Sequence, residues 1–172
     1  LIKWTNLTNG ELDMHPAPEG ANSILYTVLV FAHILAAMMA IGFNFTYVVW
    51  IQRGTRHPET LPFALRGVKF IDDFLANPLY IVAGVTGLLM IVMGKSVASF
   101  LVVAIIIYLV DMAAAYLIYT PMLSKQMVLL AEKGAESAEY KAHAARASRV
   151  GAALGMAALV IVALKIFEPT FW

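Results

Sequence analysis

Four stretches of this chain, approximately residues 24–51, 74–94, 99–123 and 150–167, are long and apolar enough to exchange water for lipid as their solvent. A hydrocarbon core of about 30 Å is crossed by roughly 20 apolar residues in helical form. Inside it, an open segment can satisfy its own backbone N–H and C=O groups only as a helix. The expected fold is therefore all-α: an integral membrane four-helix bundle over residues 24–172, preceded by a tail over residues 1–23. Composition agrees, at 61% hydrophobic, 13% charged and a mean hydropathy of +0.78, against an apolar share of about 45–50% in soluble domains. The first 22 residues, "LIKWTNLTNGELDMHPAPEGAN", lack the basic-then-apolar order of a cleavable signal.

A net charge of +1 argues against a nucleic-acid partner, which requires a basic face. The absence of cysteine removes disulfides, thiolate metal sites and iron–sulfur clusters. Any metal chemistry falls to His, Met or carboxylate.

Four spans put residues 52–73 and 124–149 on one side of the bilayer. The first connection and the second together hold Arg53, Arg56, Arg66, Lys69, Lys125, Lys133, Lys141, Arg146 and Arg149, nine of the twelve basic residues, while Lys3, Lys95 and Lys165 fall on the other side. The positive-inside bias then puts both termini outside a bacterial cytoplasmic membrane. Trp4 and Trp172 would mark the outer interface and Trp50 the inner one.

Leu61, Leu65, Val68 and Ile71 recur at helical spacing, so a short helix is expected along the inner membrane surface before Asn77-Pro78 admits the second span. The third helix is expected to continue to Lys133, with Gly134 as its stop. Ser137 then caps a helix leading into the fourth span. The pair forms a hairpin projecting into the cytoplasm, a charged connector or a docking surface for a soluble partner.

A titratable side chain at bilayer depth costs about 2.5–3.5 kcal/mol on insertion scales, and two stand out, His33 and Asp111. At about 1.5 Å per residue they lie at roughly 14 Å and 18 Å below the outer ends of their spans. Similar depth suggests a hydrogen-bonded His33–Asp111 pair, extended by Tyr108 and Tyr119. The face of the first span that holds His33 also holds Ala36, Ala37, Ala40, Asn44 and Tyr47. Small residues beside a histidine admit a porphyrin edge or simply a neighbouring helix. Gly84 with Gly87, and Gly151 with Gly155, read as close helix contacts in the same way.

A haem b held by two histidines needs a second one in the membrane, yet His15, His57 and His143 all belong to the tail or the connections. Met90, Met93 and Met112 are then candidates for the other axial position, and His with Met would also suit copper, as would Met14 and His15 in "DMHP". Asn44, Asp72, Asp73 and Asn77 gather near the inner ends of the first two spans. They read as helix capping, with Asp72 and Asp73 favouring the dipole of the second span, or as a proton or quinone access site. Phosphate loops, nucleophile elbows and zinc signatures are absent from the sequence.

With "FAHILAAMMAIGFNF", "LRGVKFIDDFLANPLYIVAGVTGLLM" and "YLIYTPMLSKQMVLLAE", the chain from residue 24 to 172 resembles a family of bacterial predicted integral membrane proteins of unknown function. That family looks like a branch of a broader four-helix group, which includes copper-resistance-D-like proteins and the haem-containing membrane protoporphyrinogen oxidase. The resemblance implies that His33, in "AHILAAMMAIG", stands where the group contacts haem. It also implies a departure, because oxidase-type members carry a basic residue within the third helix, where "AIIIYLVDMAAAY" offers Asp111.

Two functional classes follow. One is an accessory, non-catalytic subunit of a larger membrane assembly, respiratory or otherwise energy-transducing, surrounded by lipid and other membrane subunits. The other is a haem-linked electron-transfer protein in which His33 ligates iron, Asp111 or a tyrosine tunes it, and quinone is a possible partner. Copper handling is a third, weaker reading.

Overall fold

A computed structural model describes residues 24–94 and 97–172. Trp4, Met14, His15, Lys3 and Lys95 lie outside the described residues, and with them the tail. The described residues form helices α1 (Ile24–Arg56), α2 (Leu61–Ile71), α3 (Asn77–Gly94), α4 (Ser99–Ala114), α5 (Thr120–Lys133) and α6 (Ala138–Phe167), with no strand among them.

The expected surface helix does not lie apart from the second span. α2 continues into α3 through a five-residue π-helical turn, Asp72–Ala76, and α4 continues into α5 through another, Ala115–Tyr119. Two rods result, Leu61–Gly94 and Ser99–Lys133, of 34 and 35 residues. Asp72 and Asp73 therefore cap nothing, because the helix is unbroken where they stand.

Both π turns are followed by one residue and then a proline, Asn77-Pro78 and Thr120-Pro121. Proline lacks an N–H, and its ring presses on the carbonyl four residues back. Widening the helix by one residue relieves that pressure without breaking the rod. The amides of Asn77 and Thr120 accordingly reach the carbonyls of Asp72 and Ala115, five residues back.

α1 packs along α3 and α4 along α6, while α1 and α6 touch sparsely. Together with the two rods, α1 and α6 give four helices long and apolar enough to cross a membrane, so the chain is an all-α, four-helix membrane bundle. Each helix is 30 to 35 residues long. Rising about 1.5 Å per residue, all four outreach a hydrocarbon core of about 30 Å.

The excess length gathers at the end holding the α1–α2 and α5–α6 turns, where nine basic residues also sit. The most deeply buried large side chains, Leu61, Leu65, Val68, Leu123 and Gln126, are all there. Leu61, Leu65, Leu129 and Tyr140 form one apolar cluster; Tyr47, Val68, Ala76, Tyr119 and Leu123 form the next. Gly54, which the sequence reading passed over, lets α2 close on α1, since a Cβ there would come within 3.1 Å of Leu61 and Ala64. Gly134 ends α5 at φ 78°, and the Ser137 hydroxyl caps α6 by accepting from the Tyr140 amide at 3.2 Å.

The apolar half is packed differently. Phe100 is the buried residue of α4, and large side chains such as Val28, Leu88, Ile106, Leu109 and Val110 face outward. Near the other end the Phe171 amide donates to the Ser99 hydroxyl at 3.0 Å, and the Lys165 ammonium lies 5.3 Å from the Phe100 ring centre.

Candidate functional site

Two layers of polar groups tie the helices together inside this bundle. The first is set by α1, whose face of Ala36, Ala40 and Tyr47 is buried, carrying His33 and Asn44 against α3. His33 Nδ1 lies 2.8 Å from the Ala83 carbonyl and 3.4 Å from the Thr86 hydroxyl. A carbonyl only accepts, so Nδ1 carries the hydrogen and Nε2 of the neutral ring keeps its lone pair. Gly87 makes the contact close: a Cβ there would sit 3.0 Å from His33 Cε1. The Thr86 hydroxyl donates back to its own helix, to the Val82 carbonyl at 2.7 Å.

About three turns further along α1, the Asn44 amide donates to the Tyr80 hydroxyl at 2.8 Å. The Tyr108 hydroxyl of α4 donates to the Tyr80 carbonyl at 3.0 Å, over Gly84, whose missing side chain leaves the space the phenol fills. This is the principal polar link between α3 and α4.

His33 and Asp111 do not pair. The imidazole is satisfied by α3 backbone within its own helix pair, and the carboxylate oxygen Oδ1 of Asp111 is buried with no hydrogen-bond partner. Matching depth on two helices does not bring groups together when the helices belong to different pairs. Tyr108 and Tyr119 likewise leave Asp111 alone: Tyr108 turns to α3, and Tyr119 packs in the core, its ring against Gly151. A Cβ at Gly155 would meet nothing within 4 Å, so its expected close contact is not made among the described residues. Met90 and Met112 are half-buried on α3 and α4.

The second layer is the junction of the two π turns. Asp72 Oδ2 accepts from the Thr120 hydroxyl at 2.7 Å and from the Asn77 amide at 3.3 Å. That amide also reaches Thr120 Oγ1 at 3.3 Å, and the Tyr47 hydroxyl makes a longer bond of 3.4 Å to Asp72 Oδ1. Asp72, Asn77 and Tyr47 are each 4% exposed, which places a carboxyl group in the middle of the protein. Every neighbour donates to it, which suits an acceptor-only carboxylate. Adjacent Asp73 points outward to Lys69, four residues back, in a charged hydrogen bond.

Sequence reading grouped Asp72, Asp73, Asn44 and Asn77 but not Thr120, which is more than forty residues from Asp72. The available signal was the repeated polar residue before proline, in Asn77-Pro78 and Thr120-Pro121. Of the remaining histidines, His143 Nε2 donates to the Met122 carbonyl at 2.9 Å, and His57 faces Glu59 across 3.7 Å in the α1–α2 turn. Among the described residues no three His, Cys, Asp or Glu side chains gather as they would around a metal ion.

The family model described as "Predicted integral membrane protein (DUF2269)" matches residues 27–167. No curated protein and no solved structure matches the chain.

Proposed function

The chain belongs to that family of predicted integral membrane proteins, and from this we propose that it is an accessory, non-catalytic subunit of a larger bacterial membrane complex, respiratory or otherwise energy-transducing. The observation that carries the reading is the contrast between its two halves. The basic end has a packed core and a buried polar junction, whereas in the apolar half α4 buries Phe100 and turns Ile106, Leu109 and Val110 outward. Helix association in lipid relies on close packing of small residues. Gly155, on α6, has open space over it and is free to admit a neighbour.

In this reading the basic end faces the cytoplasm, both termini face outward, and His33 with Asp72 keep the four helices in register. Photo-crosslinkers introduced at Leu109 and beside Gly155 test it in native membranes. A discrete adduct with one other membrane protein, reproduced at both positions, is the expected result. Adducts with lipid alone would overturn it.

A second reading rests on one specific contact. An imidazole that donates from Nδ1 to a carbonyl has Nε2 ready as a ligand and its ring orientation fixed, and His33 is held in this way. If a haem b binds, His33 would hold it, with Met90 or Met112 as the further candidate ligand and Asp111 or Tyr108 as the candidate tuning groups. The group would supply one-electron chemistry, with quinone as the natural exchange partner in lipid. A reduced-minus-oxidised spectrum of the purified protein tests this against His33→Ala: a b-type band lost in the variant supports it, and a featureless spectrum from haem-replete cells overturns it.

A further inference from the structure

The turn between α1 and α2 holds a feature that neither polar layer uses. A groove of about 370 Å³ runs over Val49, Trp50, Arg53, Gly54, Thr60 and Phe63, open to the outside of the bundle. Gly54 creates its floor by letting Leu61 and Ala64 press against α1. Trp50 and Phe63 line it as tilted rings with centres 6.1 Å apart. The walls are carbon almost throughout, and the cation at the rim, Arg53, has no ion-pair partner among the described residues. Glu59 of the same turn is exposed and lies 3.7 Å from His57.

Depth fixes what surrounds this groove. Trp50 and Arg53 are 26 and 29 residues beyond Ile24 on one continuous helix, about 39 and 44 Å at 1.5 Å per residue. A bilayer with its headgroups is about 40–45 Å thick. With Ile24 at one polar boundary, Trp50 and Arg53 stand in the opposite headgroup layer. Along the outer face of α2 and the first π turn, Phe63, Arg66, Phe70 and Phe74 are all exposed, and Phe70 and Phe74 are in ring contact at 5.1 Å. Trp50, Arg53, Phe63 and Arg66 stand near this level, and Phe70 and Phe74 carry the exposed aromatic face about 10–16 Å further along the rod toward the hydrocarbon.

We propose that the groove binds one anionic phospholipid from the leaflet at the basic end, its phosphate on Arg53 and its glycerol and upper acyl chain along the apolar wall that Trp50 and Phe63 form together. Charge complementarity selects the occupant. A soluble anion would leave the carbon walls unused and a zwitterionic lipid would cancel part of the attraction, whereas an anionic phospholipid meets both with one molecule.

The full chain, reconstituted with equimolar phosphatidylglycerol and phosphatidylcholine and released into native mass spectrometry, tests the assignment. Wild-type protein is expected to retain phosphatidylglycerol in preference to phosphatidylcholine, and Arg53→Gln to lose that retention several-fold. Arg149→Gln removes an exposed cation on α6 and is expected to change nothing. Circular dichroism of each variant checks that it is folded. Equal retention of the two lipids, unchanged retention in Arg53→Gln, or an equal loss in Arg149→Gln would each overturn the site.

Discussion

Thr120 donates its hydroxyl to Asp72 at 2.7 Å, joining the residue that follows one π turn to the first residue of the other. The bond connects the two longest rods of the protein at the level where apolar lipid-facing surface gives way to the packed basic end. Asn77 completes it from the residue that follows the first turn, so the two prolines position three polar side chains around one point.

Removing that hydroxyl leaves a buried carboxylate oxygen short of its best donor. Thr120→Val is expected to lower stability by about 1–3 kcal/mol, the range for an unsatisfied buried polar group. Thermal unfolding in detergent, followed with Asp72→Asn and the double variant, would show a coupling of about 0.5–3 kcal/mol between the two positions. Strict additivity would mean that the bond does not hold the junction.

Glycines separate by what stands over them. Gly84→Ala, Gly87→Ala and Gly151→Ala each push a methyl into Tyr108, His33 or Tyr119, and overpacking of this kind costs about 1–3 kcal/mol. Gly155→Ala meets open space in the isolated chain and should be neutral or slightly stabilising in purified monomer. Melting temperatures of the four variants, ranked together, decide the matter.

His33 and Asp111 are expected to behave as independent sites. His33→Ala loses the link to α3 and should destabilise, while Asp111→Leu removes an unpartnered carboxyl from lipid depth and should stabilise. A carboxylate at the helix centre costs about 2.5–3.5 kcal/mol on insertion scales, which bounds the gain. The double variant should equal the sum of the singles within about 0.3–0.5 kcal/mol. A larger coupling would restore the pairing that the structure denies.

Stability should reside at the basic end. Leu65→Ala empties a site that is 1% exposed, whereas Leu109→Ala alters a side chain that is 59% exposed. The first is expected to cost about 2–5 kcal/mol as a buried leucine truncation. Little change is expected from the second. Unfolding of both variants in one detergent compares them directly.

Hydropathy and helical spacing carried the architecture: four apolar helices, the Gly134 stop and the Ser137 cap all follow from local rules. What local rules missed was continuity. Asp72-Asp73 and Asn77-Pro78 resemble a helix start, and only the accommodation of Pro78 by a π turn reveals that the helix never ends. The site was legible one helix at a time. His33 and the alanine face of α1 pointed inward as their spacing implied, but depth alone could not say which helix would meet them. Asp111 matched His33 in depth and belongs to the other pair. Thr120 escaped notice because its role depends on a partner more than forty residues away and on a turn that regular periodicity does not describe.

Each π turn has one further effect, on phase. A residue added to a helix without lengthening its axis in proportion turns everything beyond it by about 100°, the angle per residue of a 3.6-residue helix. The rods are therefore two-part shafts whose lipid-facing and basic-end portions are clocked separately, so an apolar stripe on one side of a turn need not line up with the stripe on the other. A one-residue deletion at Ala76 or Ile118 would close the turn into ordinary α-helix and leave the two portions clocked almost as they are, whereas the same deletion elsewhere in a rod would rotate everything beyond it by about 100°.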